Sequence, residues 1–151
     1  MSFKINLQRF FINLYPPYLG TGISIRSISP DHRHVVVRMK MHWYNRNYVK
    51  THFGGSLYAM TDPIFMLMLI HILGRDYIVW DKAAHIDFIK PGKGTVTARF
   101  DIDDTHLENI LKQTRDGQKH LEDFEVRVVD GSGDTIAHII KTLYIRKKPN
   151  R

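Results

Sequence analysis

Asn45-Arg46-Asn47-Tyr48-Val49-Lys50-Thr51-His52-Phe53-Gly54-Gly55-Ser56-Leu57-Tyr58-Ala59-Met60-Thr61-Asp62-Pro63 runs directly into Ile64-Phe65-Met66-Leu67-Met68-Leu69-Ile70-His71-Ile72-Leu73-Gly74. The stretch opens as a polar loop, passes a glycine pair and becomes a helix that is apolar almost all the way round. A helix without a polar face has to be enclosed on every side. No other apolar segment of this length occurs in the chain, so the flanking segments, mostly strands, are the expected enclosure. Asp62 is the one carboxylate set into this helix. Burying such a group is costly unless it is paired or hydrogen-bonded. Pro63 has no N–H to give the carbonyl at Ala59, so a kink or tightened turn is expected here. The residues leave Asp62 open between an acid exposed for function by that distortion and a residue that ends one short helix or caps a second, with Pro63 at its first position. Gly54-Gly55 has two readings as well. The pair lets backbone approach a ligand, with the first helical N–H groups free to hold an oxyanion or a thioester carbonyl. Otherwise it is a flexible helix start capped by Ser56.

Outward from this centre the pattern is mostly strand. On the carboxyl side Gly74 closes the helix, beside Arg75. Tyr77 to Lys90 then places Ala84, Ile86 and Phe88 on one face and His85 and Asp87 on the other. Pro91-Gly92-Lys93-Gly94 is a turn. Val96, Ala98, Phe100 and Ile102 alternate with polar residues, the mark of a strand buried on one face. Thr105 with Glu108 reads as a capping box for a short helix carrying Leu107, Ile110 and Leu111 and ending at Gly117. Phe124, Val126 and Val128 mark another strand, Asp130-Gly131-Ser132-Gly133 a hairpin connection, and Thr135 to Arg146 a last strand with Ile136, Ile140 and Ile145. On the amino side, Gly22 to Ile28 and His34 to Met41 form a hairpin about Ser29-Pro30-Asp31. Before it Phe3, Leu7, Phe10, Phe11 and Leu14 share a helical face that Pro16-Pro17 stops, a lid or edge helix packed by its aromatic side. The order is helix, strand pair, loop, buried helix, strand pair, short helix, strand pair. It predicts one α+β domain over residues 1–151, with six largely antiparallel strands in a single curved sheet wrapped round the central helix. The open edges of such a sheet invite pairing with a second copy.

The 151 residues carry a formal net charge of +7 and no cysteine. Disulfides, thiolate metal sites and cysteine nucleophiles are therefore excluded. The charge invites an anionic partner, yet only Arg146-Lys147-Lys148 and Arg151 cluster locally, and no zinc-finger spacing, phosphate-binding glycine loop or RNA-recognition motif accompanies them. Nucleic acid is thus not expected as a partner. Of the nine histidines, only His32 and His34 form a strand-spaced pair, and no metal site is expected. The amino terminus lacks the uninterrupted apolar run of a signal peptide, and Ile64 to Ile70 is too short to cross a bilayer before His71. A soluble, cytoplasmic protein without membrane insertion is the expectation.

Asn47, then Gly54-Gly55, then Asp62, in this layout, resembles the hotdog-fold acyl-coenzyme A thioesterases. The fuller string from His52 to Phe65 resembles a subgroup of that superfamily described as a domain of unknown function and often named a tetrameric acyl-coenzyme A thioesterase. The resemblance covers nearly the whole chain. It implies a curved sheet of about six strands round the helix and a hydrolase that cleaves an acyl-coenzyme A thioester with no cofactor beyond the coenzyme A of the substrate. Asp62 would be the general base or nucleophile, Gly54 and Gly55 would offer N–H groups to the oxyanion, and Asn47 would orient the water or the carbonyl. In the relatives the helix acid of one subunit meets the loop and glycines of the other, which implies a homodimer or a dimer of dimers. Relatives commonly carry histidine directly before the glycine pair. Here Phe53 stands there and His52 is displaced by one, so His52 is assigned no catalytic role.

Thioester hydrolysis needs an activated water and stabilisation of the developing oxyanion. Lys50, Lys82, Lys90, Lys93 and Arg99 are candidates to steer the phosphates of coenzyme A. Met60, Phe65, Met66 and Met68 are candidates to line an acyl channel. Two readings compete with a thioesterase: a non-catalytic acyl- or lipid-binding hotdog protein, and a basic nucleic-acid binder marked by salt-sensitive association.

Overall fold

The computed structural model describes residues 3–149. In chain order these form α1 (Phe3–Asn13), α2 (Pro16–Thr21), β1 (Ile23–Ile28), β2 (His34–Lys40), α3 (Gly54–Ala59), α4 (Ile64–Leu73), β3 (Tyr77–Phe88), β4 (Thr95–Asp101), α5 (Asp104–Thr114), β5 (Lys119–Val129) and β6 (Thr135–Lys147). The strands make one six-stranded sheet in the order β1-β2-β4-β5-β6-β3, antiparallel throughout. The sheet curves round α4, so the fold is the expected α+β hotdog arrangement.

Alternation decides which side of each strand meets the helix. Val37 and Met39, Val96 to Phe100 by twos, Phe124 to Val128 by twos, and Ile139, Leu143 and Ile145 are all buried. Against them α4 sets Phe65, whose ring stacks on Phe124 with centroids 4.8 Å apart and meets Phe100 edge-on at 5.1 Å. Each such buried side chain contributes about 1.5–3 kcal/mol over an exposed one. Gly54–Leu73 is apolar and long enough to cross a membrane by composition, but Ile64, Phe65, Met68 and Leu69 are buried within this structure.

Three local expectations are corrected. Strands β3 and β4 are consecutive and joined by a glycine-rich turn, but they do not pair. β3 pairs with β6 at the far edge, while β4 inserts between β2 and β5. The segment at 91–94 crosses between these places instead of folding a hairpin: a Cβ at Gly92 would stand 2.8 Å from Ile136 Cγ2 and 3.3 Å from the His52 ring. The cap of α5 is Asp103, which accepts from His106 N, and not Thr105. Glu122, bonded also to its strand neighbour His120, pins this helix to β5 through His106 and Asn109. Burial opposes its charge, but these hydrogen bonds hold its carboxyl below the usual range.

The third correction concerns α1. Its docking side is Ile5 and Ile12, with Asn13 accepting from Ile25 N at 2.6 Å and donating to Ile25 O. Leu7, Phe10, Phe11 and Leu14 are exposed, Phe11 by 62%. Once Asn13 is clamped to β1, the rotation of the helix is set, and the aromatic side turns away from the core.

The candidate active site

The central helix is two helices. Across 58–64 the hydrogen bonds tighten to three-residue spacing: Thr61 N donates to Tyr58 O, Asp62 N to Ala59 O and Ile64 N to Thr61 O. The Ala59 carbonyl that Pro63 deprives of its helical donor is thus met by Asp62 N at 3.2 Å, as steric exclusion by proline requires. Pro63 is the cap of α4, not its first residue. The break frees the Asp62 carbonyl, which accepts from Tyr18 Oη of α2 at 2.7 Å. Burial and the nearby Asp62 charge hold the Tyr18 phenol above its ordinary range, so it stays a donor.

The Asp62 side chain is 42% exposed, not enclosed. It is paired nonetheless. Lys141 of β6, with a wholly buried side chain, donates to Asp62 Oδ1 at 2.6 Å and lies 3.0 Å from Asp81 Oδ1 of β3. Tyr58 Oη, from α3, accepts from the same ammonium at 3.2 Å, with the tyrosine ring 5.0 Å away. Burial works against the Lys141 charge, but the bonds to Asp62 and Asp81 outweigh it and raise its pKa above the lysine value. For Asp81 burial dominates and raises its pKa, with Lys141 opposing and the Asp62 charge adding. One cation and two carboxylates thus sit where four elements meet. Sequence patterning found Asp62 alone of the three.

Asp62 forms part of the wall of an apolar cavity of about 490 Å³ between α1–α2 and the α3–α4 break, with Phe11, Tyr15, Tyr18, Ala59 and Leu67 around it. Asn47, Gly54, Lys90 and Lys93 lie together in a different hollow, of about 570 Å³, beside Phe88. Within one chain, therefore, the predicted acid and its predicted partners do not share a cavity. Asn47 is occupied in shaping its loop: Oδ1 accepts from Thr51 N, and Nδ2 donates to Thr51 Oγ1 and His52 O. The α3 cap is Phe53, not Ser56. The first helical bonds are donated by Ser56 and Leu57 to Phe53 O, leaving the N–H groups of Gly54 and Gly55 ahead of the ladder. Side chains would crowd both glycines, since a Cβ on Gly54 would be 3.1 Å from the Phe88 ring and one on Gly55 2.5 Å from the Phe53 ring.

The charge of Lys90 is shared, and the remaining predicted residues lie outside both hollows. Lys90 pairs with Asp134 at 2.7 Å. Arg99 is exposed on β4, with its neighbours Ala98 and Phe100 facing the core, and belongs to neither hollow. Met60, Phe65 and Met68 are fully buried core residues and line neither, because the sheet packs directly on the helix. The apolar lining near Asp62 comes instead from the N-terminal helices together with Ala59, Pro63 and Leu67.

His52 is a latch. Its N donates to Gly92 O and its Nε2 to Gly94 O, clipping the 45–53 loop onto the 91–94 turn, and Nδ1 is buried without a partner. Burial holds its pKa below 6.5. A folded-state pKa below the unfolded one gives stability that is present above pH 6.5 and lost as pH falls through the folded value. The fall in melting temperature from about pH 7.5 to pH 5.5 should accordingly shrink in His52→Gln, as followed by thermal denaturation. The remainder belongs partly to His71, whose pKa burial and the stacked His32 also lower.

Among solved structures the chain is similar to a Pseudomonas aeruginosa protein of unknown function described as a probable thioesterase, with TM-score 0.80 and 16% identity over 94% of this chain and 95% of that one. It is also similar to a thioesterase from Haemophilus influenzae, with TM-score 0.70 and 13% identity over 100% and 96%. A third likeness is to the PaaI protein of the E. coli phenylacetic acid degradation operon, with TM-score 0.61 and 16% identity over 97% and 95%. At these identities the likeness is one of fold, the hotdog fold of thioesterase-family proteins. No curated protein matches the sequence. Residues 4–145 match the family described as a domain of unknown function (DUF4442), and the chain belongs to that family.

Proposed function

We propose that the protein is a thioesterase that hydrolyses acyl-coenzyme A, with Asp62 as general base. The observation that carries this is a solvent-reachable carboxylate, held in place by a buried lysine, at the edge of an apolar cavity. A water beside Asp62 attacks the thioester carbon and gives its proton to the carboxylate as the carbonyl oxygen takes up the negative charge. Collapse of that adduct breaks the C–S bond, and the proton passes from Asp62 to the departing thiolate. The oxyanion is met by the N–H groups of Gly54 and Gly55, with Asn47 holding their loop, from a second copy of the chain. Separation of Asp62 from these residues within one chain supports the shared site. So does the edge strand β3, whose outer hydrogen-bonding side has no neighbour in the sheet among the described residues and whose Phe88 is exposed. Lys90 and Lys93 beside that hollow supply positive charge for the phosphates of coenzyme A. A cytoplasmic homodimer, or a dimer of dimers, with no cofactor of its own is the corresponding assembly.

The test is complementation. Asp62→Asn and Asn47→Ala should each be inactive alone in a thiol-release assay with an acyl-coenzyme A panel, while the two co-expressed should regain turnover because one intact composite site forms per mixed dimer. Mixed dimers without recovered activity would place the site within a single chain.

A further inference from the structure

The cavity beside Asp62 is lined on the side of the N-terminal segment by Ile12, which also packs α1 on the core, and by Phe11 and Tyr15, both exposed. Phe11 belongs to an apolar row that docking through Ile5, Ile12 and the Asn13 clamp leaves unused, Leu7, Phe10, Phe11 and Leu14, all exposed. Exposed apolar surface grouped in this way marks a binding site more often than chance. Phe11 and Tyr15 face Ala59 and Leu67 across about 490 Å³, a volume within the range of small-molecule sites. Among the described residues Asp62 is the only charged one in the wall, and no lysine, arginine or histidine joins it. The walls and the acid are mechanically joined, because Tyr18 Oη holds the Asp62 carbonyl at 2.7 Å.

From this we infer that the cavity holds the acyl group of the substrate, that this group is an uncharged apolar chain or ring, and that acyl groups ending in a carboxylate are rejected. The inference rests on the reading of Asp62 as the catalytic acid. A thioester carbon placed against Asp62 directs its acyl substituent along the Phe11, Tyr15 and Leu67 surface, where aromatic and aliphatic contacts stabilise methylenes. A distal carboxylate would end among those aromatic and aliphatic side chains, away from Lys141, and would lose water with no lysine, arginine or histidine of the lining to compensate, an arrangement that low-polarity surroundings penalise strongly. Specificity would thus be set where the first two helices of the chain face Ala59 and Leu67, and not by the buried side of the core helix.

The experiment measures binding separately from turnover. Titration calorimetry with non-hydrolysable thioethers of coenzyme A bearing methyl, decyl or ω-carboxynonyl groups gives the decyl-to-methyl affinity ratio for the whole protein. Leu67→Trp, which fills the cavity, should lower that ratio about tenfold or more, the scale on which hydrophobic pockets discriminate. Phe11→Ala removes an exposed ring, so it serves as the second variant should Leu67→Trp fail to fold, and it should lower the ratio several-fold. The ω-carboxynonyl thioether should bind the native protein at least tenfold more weakly than the decyl one. A ratio unmoved in a folded Leu67→Trp and in Phe11→Ala, or equal binding of the charged and uncharged chains, overturns the inference. Cavity-dependent binding without hydrolysis of any acyl-coenzyme A supports the cavity and removes the catalytic reading of Asp62. Asp62-dependent hydrolysis with an unmoved ratio does the reverse.

Discussion

Asp62→Asn should abolish most thioester turnover while leaving a folded protein. General-base catalysis contributes about 10²–10⁴-fold, and a loss of this size in kcat is the expected result. The fold should survive for reasons visible around Lys141. An asparagine oxygen at position 62 can still accept from the ammonium, and Asp81 remains 3.0 Å from it. Exchanging a charged acceptor for a neutral one on a half-exposed side chain should cost about 1 kcal/mol. Thiol-release kinetics alongside thermal melting separate the two effects. Retained turnover in the folded variant would remove Asp62 from the mechanism.

Lys141→Met should be the most destabilising single substitution in this region. The lysine side chain is wholly buried, and methionine matches its length, so packing is nearly kept. What is lost is the charge that neutralises Asp81 and anchors Asp62. Removing one partner of a buried pair costs about 3–5 kcal/mol because the other is left uncompensated. A double variant, Lys141→Met with Asp81→Leu, should recover much of that loss, since it replaces the unpaired acid by an apolar group. The pH dependence has a definite sign. Lys141 has its pKa raised above 10.5 in the fold, so the stability it contributes is fully present below that pH and is lost as pH rises through the folded value. The gap between wild type and Lys141→Met in denaturant unfolding should therefore be constant through neutral pH and close at strongly alkaline pH.

The architecture was legible because its signals are local. Val96, Ala98 and Phe100 alternate cleanly, the Ile64 to Leu73 run has no polar face, and Asp62 with Pro63 marked the break. Lys141 escaped because the last strand was represented by Ile136, Ile140 and Ile145, which do not share one face. Strict alternation along the inward row, Ile139, Lys141, Leu143 and Ile145, would have shown a cation among buried apolar positions. Asp81 had no such signal. Counting back by twos from Ala84 turns it outward, and only the register shift between Asp81 and Ala83 brings it to the inner face. The α1 helix was found but its docking side was not, since Ile5, Leu7, Phe10, Phe11, Ile12 and Leu14 surround so much of its circumference that periodicity alone selects no face. Asn13, a polar residue at its end, decides the matter. Pairing of β3 with β6 was equally hidden, because local turn chemistry at 91–94 resembles that of a hairpin, and the strand that takes β3 instead begins only at Thr135.

Asp81 belongs to the strand at the rim of the sheet. A second copy pairing along that rim would exclude water from the strand that carries Asp81, raise its pKa further in the direction burial already sets, and so change the electrical balance on the ammonium that steadies Asp62. In the dimer proposed above, self-association and the ionisation of the central cluster would be two faces of a single equilibrium, with dilution and acidity acting on the same quantity. A titration curve for such an assembly would carry meaning only at a stated subunit concentration.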